Sequence, residues 1–208
     1  MSAPEPSPQA VLFDLGGVLI DWNPRHLYRK IFADEAAMED FLATVCTQDW
    51  NEEQDAGRPF AEGVRLLTER HPHAAAEIAA YHLRWEEMLG GEIAGSVAVL
   101  DELRERGVLL FGVTNWSAET FPIARRLFPF LDWFWAILVS GDERLRKPDP
   151  RFFALAIERF GLDPAATLFI DDSRRNTEAA AVLGFRTQCF TDAASLRAVL
   201  VTQGLLPG

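Results

Sequence analysis

The chain has 208 residues and 49% of them are hydrophobic, which is enough to bury a core in one large domain or in one domain with an insertion. Its formal net charge of -11 at pH 7 argues against binding to nucleic acid or to an acidic membrane surface. Any phosphate group that the protein binds must therefore be attracted by a local arrangement of donors and cations.

The first residues and the two cysteines carry no sign of secretion or of a disulfide. Residues 1–9 are rich in Pro, Ser and Ala and lack the basic start and the apolar run of a signal peptide, so we expect a flexible N-terminal tail and a cytoplasmic protein. No apolar run is long enough to predict a membrane span. Cys46 and Cys189 stand far apart and without metal-ligand spacing, which predicts free buried thiols.

The first predicted strand covers residues 10–13, a short apolar run that suits a strand buried on both faces. It stops at Asp14, and the segment that follows it, residues 22–94, is far longer than a single crossover between strands requires. Candidate helices in that segment span residues 25–32, 35–45, 60–69 and 74–89, with breaks at 55–57 and 71–72. We therefore predict an all-α cap, residues 22–94, inserted after the first strand.

Beyond residue 95 the pattern alternates between helices and short apolar strands. Helices are predicted up to Gly107, from Asp149 as N-cap to about Gly161, and up to Gly184. The strands are predicted at residues 108–113, 137–140, 167–170 and 187–190. This alternation is typical of the α/β class, and it predicts a three-layer, Rossmann-like core with a parallel sheet, formed by residues 10–21 and 95–208.

Reactive side chains stand where the predicted strands end. Asp14, Thr114 and the pair Asp171-Asp172 follow or end three of the strands, and Lys147 precedes the helix after another. A single aspartate at such a position is most often a turn former or a helix cap. Ligands of open parallel sheets bind beyond the carboxyl ends of the strands, so the coincidence of four such positions predicts one shared site.

Three carboxylates in one partly dry cleft would repel one another unless a cation relieved them. Magnesium prefers oxygen ligands and takes one or two protein carboxylates together with substrate phosphate, so we predict a Mg²⁺ site and a small phosphorylated substrate. Lys147 would add one positive charge, and the hydroxyl of Thr114 can donate a hydrogen bond to a phosphoryl oxygen.

These residues also resemble the four ordered motifs of the haloacid dehalogenase superfamily, and the resemblance spans nearly the whole chain. The matching stretches are Phe13-Asp14-Leu15-Gly16-Gly17-Val18-Leu19, Val113-Thr114-Asn115, Lys147-Pro148 and Phe169-Ile170-Asp171-Asp172-Ser173. The helical insert after the first motif is similar to the cap of the helical-cap members, among them small bacterial sugar-phosphate phosphatases.

The resemblance implies a hydrolase in which Asp14 attacks phosphorus and forms an aspartyl-phosphate that water then hydrolyses. It implies that Thr114 binds the phosphoryl group and that Lys147 orients the nucleophile and offsets charge. Mg²⁺ would be held by Asp14, by Asp172 and by the backbone carbonyl of residue 16, a glycine here. Asp171 would act directly or through a metal-bound water.

Gly16 departs from the family pattern, because most phosphatases of the family carry a second aspartate there as general acid and base. Such catalysis is typically worth roughly 10²- to 10⁴-fold. Its absence slows the chemistry, moves the role to another residue, or favours substrates with good leaving groups, such as anomeric sugar 1-phosphates. Under the last explanation Gly16→Asp gives a large gain with poor leaving groups and little with good ones.

Three other functions stay open from the sequence. A metal-independent 2-haloacid dehalogenase uses the same nucleophile, although the pair Asp171-Asp172 argues against it because a site without a cation has no reason to crowd carboxylates. A phosphotransferase would pass the phosphoryl group to a sugar hydroxyl. A catalytically weakened binding protein would keep the fold while Gly16 marked a decayed site.

Trp50 and Arg58 in the cap, and Asn115 in the core, are the predicted substrate-binding residues. Tryptophans in helices are usually packing residues, and Arg58 can equally be solvated or paired with Glu62. Other candidates for substrate contact are Trp22, Asn23, Asn51, Asp55 and Trp85.

The four histidines all lie in the cap, and one of them would replace the missing acid if it faced the cleft. Asn176 is expected to steady the loop that carries the acidic pair. An aromatic cluster in residues 128–135 is core or a dimer patch, so we expect a monomer or a homodimer.

Overall fold

The structure, a computed structural model, describes residues 7–208. The predicted tail, residues 1–9, falls mostly outside this range, but the backbone N–H of Gln9 donates to the carbonyl of Ala166 at 2.8 Å. The described strands are β1 Ala10–Phe13, β2 Ile20–Trp22, β3 Leu89–Glu92, β4 Leu109–Thr114, β5 Ala136–Val139, β6 Thr167–Asp171 and β7 Arg186–Cys189.

The helices fall into two groups, one between β2 and β3 and one after β3. The first group is α1 Arg25–Tyr28, α2 Glu35–Thr44, α3 Gln48–Asp55, α4 Phe60–Arg70 and α5 Ala75–Leu83. The second group is α6 Ala94–Glu105, α7 Phe121–Leu127, α8 Ser140–Glu143, α9 Pro150–Phe160, α10 Arg174–Val182 and α11 Ala193–Thr202. Short 3₁₀ segments cover Pro72–Ala74, Trp85–Met88, Pro129–Trp133 and Pro164–Ala166.

The predicted parallel sheet is confirmed. Its five strands run in the order β5-β4-β1-β6-β7, and every neighbouring pair is parallel. β1 lies in the centre, where all four of its residues are buried, and Phe13 pairs with Gly112 on one side and Ile170 on the other. The carboxyl ends of β1, β4 and β6 therefore meet at one edge of the sheet.

Helices cover both faces of this sheet, which confirms the three-layer core. Val11 and Phe13 of β1 belong to a hydrophobic cluster that includes residues of α6 and α11. Ala10 and Leu12 point the other way, into a second cluster that includes residues of α9 and α10. Successive residues of a strand face opposite sides, so a strand that is apolar at every position is one that is buried on both faces.

A two-stranded antiparallel ribbon of β2 and β3 stands at the base of the helical insert, and the sequence pattern did not predict it. The predicted helix over residues 74–89 is correct only for α5; the 3₁₀ turn Trp85–Met88 leads into β3 instead. The predicted helix over 25–32 likewise ends at Tyr28. β2 is only three residues long, and β3 contains two glycines, so neither shows the alternation by which strands are recognised.

Two further predictions concern the cysteines and the membrane-spanning segments. Cys46 and Cys189 are free thiols as expected, but Cys189 is partly exposed rather than buried. None of the helices described between residues 7 and 208 has the length and the apolar character to cross a membrane.

Candidate active site

The carboxylate of Asp14 lies at the carboxyl end of the central strand. The backbone N–H of Asp14 donates to the carbonyl of Ile170 at 2.8 Å, so the pairing of β1 with β6 continues through this residue. Its Oδ1 accepts the N–H of Leu15 at 2.7 Å, and its Oδ2 lies 2.8 Å from Nζ of Lys147. The residue is 7% exposed, so its carboxylate is presented to a cavity rather than to bulk solvent.

Lys147 is buried, and its ammonium group has an acceptor for each of its three protons. Nζ lies 2.8 Å from Oδ2 of Asp14, 2.7 Å from Oδ2 of Asp171 and 3.1 Å from the carbonyl of Val113. Burial lowers the pKa of Lys147, but the two carboxylates outweigh it and the pKa is raised overall. The ammonium group is therefore a fixed positive charge beside Asp14.

Asn115 holds the segment that carries Lys147. Its Oδ1 accepts the N–H of Lys147 at 2.8 Å, and its Nδ2 donates to the carbonyl of the same residue at 2.9 Å. Asn115 also lines the cavity. Both ends of its amide are engaged by the backbone of Lys147, so a positioning role stands beside the predicted contact with substrate.

Asp171 is fully buried, and its oxygens are saturated by protein donors. They accept from Nζ of Lys147, from the backbone N–H of Ser173 at 2.8 Å and from Nδ2 of Asn176 at 2.9 and 3.1 Å. Asn176 therefore steadies the acidic pair, as expected. This placement gives Asp171 a role beside the two that were predicted for it, because its carboxylate orients the ammonium group of Lys147.

The carboxylate of Asp172 lies beside the backbone of Gly17. A Cβ atom on Gly17 would lie 2.3 Å from Oδ2 of Asp172, and the φ of Gly17 is +75°, in the region that favours glycine. A side chain at position 17 would therefore both strain the turn and require the carboxylate of Asp172 to shift.

Asp14, Asp171 and Asp172 each offer a carboxylate oxygen, and these oxygens lie within 4.8 Å of one another. Burial raises the pKa of Asp14 well above its ordinary range, since the nearby Lys147 offsets this only in part. Burial and the charge of Asp171 also raise the pKa of Asp172. One ammonium group does not balance three carboxylates, so the site has an excess of negative charge that a further cation would relieve.

The donor set fits magnesium. Asp171 is saturated by other donors, which leaves Asp14 and Asp172 as carboxylate ligands. Gly16 forms a bridge with Ile20 that uses the carbonyl of Leu15 and the N–H of Gly17, so the carbonyl of Gly16 is outside that bridge. Two carboxylates and one carbonyl are the hard oxygen ligands that magnesium takes, with water and phosphate completing its shell.

The cavity above these residues has a volume of about 340 Å³ and lies between the sheet edge and the helical insert. Its core side is formed by Asp14, Gly16, Gly17, Thr114, Asn115, Trp116, Thr120, Lys147, Asp172 and Asn176. Its insert side is formed by Trp22, Gln48, Asn51, Glu52, Asp55 and Trp85. The four chain segments predicted to converge are therefore brought together.

Trp50 and Arg58 do not line this cavity. The indole of Trp50 packs against Tyr81, with ring centroids 4.9 Å apart, and its N–H donates to the carbonyl of Gly63. Arg58 donates to Oε1 of Gln54 at 2.6 Å and to the carbonyl of Trp50 at 3.1 Å. Both side chains stabilise the inside of the helical insert instead, so the structure does not place them where substrate contact was predicted.

No histidine in the described part of the chain lines the cavity either. His82 stacks on Phe60 and lies 3.6 Å from a carboxylate oxygen of Glu119, and His26 contacts Asp21. The geometry therefore gives no support to the prediction that a histidine replaces the missing acid.

Gln48 and Glu52 are cavity residues that the sequence pattern missed, because α3 itself was missed. The hydroxyl of Thr47 caps α3 by accepting the N–H of Trp50. Residues 48, 51, 52 and 55 then share one face, since positions three and four apart on a helix are neighbours. The helix could have been predicted from Thr47 as N-cap residue, followed by polar side chains at helical spacing.

Comparison with known proteins places the chain among hydrolases. A family model described as haloacid dehalogenase-like hydrolase matches residues 8–184. The sesquiterpene phosphatase AstK of Aspergillus oryzae is 28% identical over 184 residues, which cover 88% of this chain and 90% of that protein. Among the other curated relatives are the pyrophosphatase PpaX of Bacillus velezensis, 26% identical and covering 86% of this chain and 81% of that protein, and a phosphoglycolate phosphatase of Thiobacillus denitrificans, 29% identical and covering 87% and 82%.

Two solved structures illustrate the range of the fold. The HAD family enzyme BT-2542 of Bacteroides thetaiotaomicron, in complex with magnesium and inorganic phosphate, has a TM-score of 0.66 and 26% identity, covering 91% of this chain and 98% of that one. The L-2-haloacid dehalogenase of Xanthobacter autotrophicus has a TM-score of 0.65 and 19% identity, covering 96% and 85%. The second likeness shows the fold alone.

Proposed function

This chain belongs to the haloacid dehalogenase-like hydrolases, and we propose that it is a magnesium-dependent phosphatase that acts on a small phosphate ester through a phosphoryl group carried by Asp14. The observation that carries the proposal is the arrangement of Asp14, Asp172 and Lys147 around one cavity, with more carboxylates than cations. A phosphatase site has a use for that excess, because it needs a divalent cation to bind a phosphate dianion.

In the proposed reaction an oxygen of Asp14 forms a bond to phosphorus while the bond from phosphorus to the ester oxygen breaks. Lys147 fixes the orientation of that carboxylate, and the hydroxyl of Thr114 donates a hydrogen bond to the phosphoryl oxygens. Bound magnesium would supply the positive charge that keeps Asp14 ionised and offsets the charge of the phosphate. Water then attacks phosphorus, and the carboxylate of Asp14 is released with inorganic phosphate.

The size of the cavity favours a small phosphorylated metabolite such as a sugar phosphate. We propose that residues 22–94 act as the cap that closes over it, because six of the lining side chains come from this segment or its edge. Trp22 and Trp85 from the insert, with Trp116 from the core, give the cavity an apolar wall beside its polar floor.

The proposal is tested by measuring phosphate release from a panel of phosphate esters with magnesium, with chelator and with the variant Asp14→Asn. We expect release that requires magnesium and falls to background in Asp14→Asn, while Asp40→Asn, an exposed aspartate of α2, leaves it unchanged. Asp172→Asn is expected to raise the magnesium concentration needed for half-maximal activity.

A haloacid substrate in the same panel tests the dehalogenase alternative. Halide release that persists in chelator, without release of phosphate from any ester, would replace the phosphatase by that function.

A further inference from the structure

The ester oxygen that leaves phosphorus needs a proton unless it is a stable anion, and the usual source of that proton is absent from this site. The residue two positions after Asp14 is Gly16, and a Cβ atom built there meets no other atom within 4 Å. The space that an acidic side chain would occupy is therefore open.

Among residues 7–208, five ionisable side chains line the cavity, and the proposed function already assigns a role to three of them. Asp14 forms the bond to phosphorus, Asp172 would hold the metal, and Lys147 has all three of its protons directed to protein acceptors. Glu52 and Asp55, both on α3, remain as sources of a proton.

The carboxylate of Glu52 lies near the guanidinium groups of two arginines. Its carboxylate oxygens lie 2.7 Å from the guanidinium of Arg146 and 3.9 Å from that of Arg175. Both carboxylate oxygens of Glu52 are therefore directed to cations of the protein rather than left free for the ester oxygen.

Asp55 has a different environment. It is the last residue of α3 and is only 9% exposed, and its Oδ2 accepts a hydrogen bond from the neutral amide of Asn51 at 2.9 Å. Burial and, to a smaller extent, the charge of Glu52 raise the pKa of Asp55 to about 7, against the lowering effects of Arg146, the backbone N–H of Ser117 and the amide of Asn51. Both the acid and the carboxylate are therefore accessible near neutral pH.

The groups that face Asp55 from other elements do not change this conclusion. Arg146, from the loop before α9, is the cation whose charge acts on it, and it is already paired with Glu52. Tyr81 of α5 is fully buried, and burial, together with the charge of Asp55, raises its pKa well above its ordinary range. The tyrosine therefore stays neutral, and the titrating group on this side of the cavity is Asp55.

Asp55 is also fixed to the core rather than to the insert alone. Its backbone carbonyl accepts the hydroxyl of Ser140 at 2.5 Å, and that hydroxyl accepts the N–H of Trp116 at 2.9 Å. Thr114 and Asn115, just before Trp116, line the same cavity. The backbone of Asp55 is thus held at a set position relative to the residues that would bind the phosphoryl group, and the amide of Asn51 orients its carboxyl group.

We propose that Asp55 is the general acid and base of this enzyme, in place of the aspartate that Gly16 does not provide. The inference rests on the proposed phosphatase function. Protonated Asp55 donates its proton to the ester oxygen as the bond from phosphorus to that oxygen breaks, and an alcohol leaves. The carboxylate of Asp55 then takes a proton from the attacking water while the bond between phosphorus and Asp14 breaks, which restores both residues.

Two esters of similar shape test the acid role. Phenyl phosphate has a poor leaving group that needs a proton, whereas the leaving group of 4-nitrophenyl phosphate does not. In magnesium we expect Asp55→Asn to lower kcat/KM for phenyl phosphate by roughly 10²- to 10⁴-fold, and to lower that for 4-nitrophenyl phosphate far less. Retained activity on the second ester also shows that the variant is folded.

The wild-type enzyme offers a second measurement that needs no variant. The ratio of kcat/KM for phenyl phosphate to that for 4-nitrophenyl phosphate should fall as the pH rises above the pKa of Asp55, about 7, because effects on binding common to both esters cancel. A ratio that is independent of pH, or an equal loss with both esters in Asp55→Asn, overturns the inference and leaves the phosphatase function intact.

A rescue experiment uses the open position at Gly16. Gly16→Asp should raise activity on phenyl phosphate more in the Asp55→Asn background than in the wild-type background, since only the first lacks an acid. An equal gain in both backgrounds contradicts the inference. Absence of magnesium-dependent phosphate release from either ester by the wild-type enzyme would overturn the proposed function, and the inference with it.

Discussion

The contact of Asp172 with the backbone at Gly17 ties one residue's conformation to the proposed metal site. A side chain at position 17 would both strain the turn and displace a carboxylate. These two effects have different consequences, because strain in the backbone lowers stability, whereas a displaced carboxylate changes the affinity for metal.

Gly17→Ala and Gly107→Ala separate the two effects. Gly107 has nearly the same φ, +73°, but a Cβ atom there meets nothing within 4 Å. Both variants should lose about 1–2 kcal/mol of unfolding free energy, since the left-handed conformation disfavours alanine by that amount. Only Gly17→Ala should also need more magnesium for half-maximal phosphate release. Equal magnesium requirements would show that the closeness of Asp172 to Gly17 has no part in metal binding.

The protonation of Asp55 has a consequence for stability that does not depend on catalysis. In the folded protein its pKa is about 7, whereas in the unfolded chain it is near the ordinary value of about 3.9. Between these values the folded protein holds one proton more than the unfolded chain, so the contribution of Asp55 to stability falls as the pH rises through this window.

Asn at position 55 does not titrate, so the difference in unfolding free energy between Asp55→Asn and wild type should increase with pH. The expected slope is up to about 1.4 kcal/mol per pH unit between about pH 4 and pH 7, and it should level off above that. Denaturant unfolding of both proteins across this range measures it. A difference that does not vary with pH would mean that Asp55 has an ordinary pKa in the folded protein.

The position of α3 depends on one buried hydroxyl, that of Ser140. Ser140 links the carbonyl at the end of α3 to the N–H of Trp116 after β4. Ser140→Ala removes both bonds and leaves two buried backbone groups without this partner, so we expect a loss of about 1–3 kcal/mol in unfolding free energy. The hydroxyl of Thr202 on α11 is exposed, and Thr202→Ala should stay within about 0.5 kcal/mol of wild type.

Equal stability of the Ser140 and Thr202 variants would show that the end of α3 is held by packing alone. Activity on phenyl phosphate should fall more than activity on 4-nitrophenyl phosphate in Ser140→Ala, because the displaced group is the proposed acid.

The elements of the core could be predicted from the sequence, whereas those of the insert could be predicted only in part. A strand such as β1, buried on both faces, is apolar at every position and ends at a recognisable polar residue. β2 and β3 are short and pair over long sequence distance, and α3 reads QDWNEEQD, with few apolar residues to mark a buried face. α11 was also missed, although Asp192 caps it.

Convergence of the four motifs at one edge of the sheet could be predicted, because parallel strands present their carboxyl ends together. The residues that form the wall of the cavity could not be predicted from the sequence. Whether Trp50 or Asp55 faces the cavity depends on the rotation of α3 against the core, which the Ser140 contact fixes from 85 residues away. A negatively charged protein that binds phosphate must also concentrate its cations locally, and Lys147 and the proposed magnesium site do so.

Transfer of a phosphoryl group to Asp14 can be detected by acid-quenching the enzyme during turnover of 4-nitrophenyl phosphate in magnesium and mapping the modified peptide by mass spectrometry. We expect one phosphoryl group on Asp14, which is absent in Asp14→Asn and absent with chelator. A phosphoryl group on another residue, or phosphate release by Asp14→Asn at the wild-type rate, would contradict it.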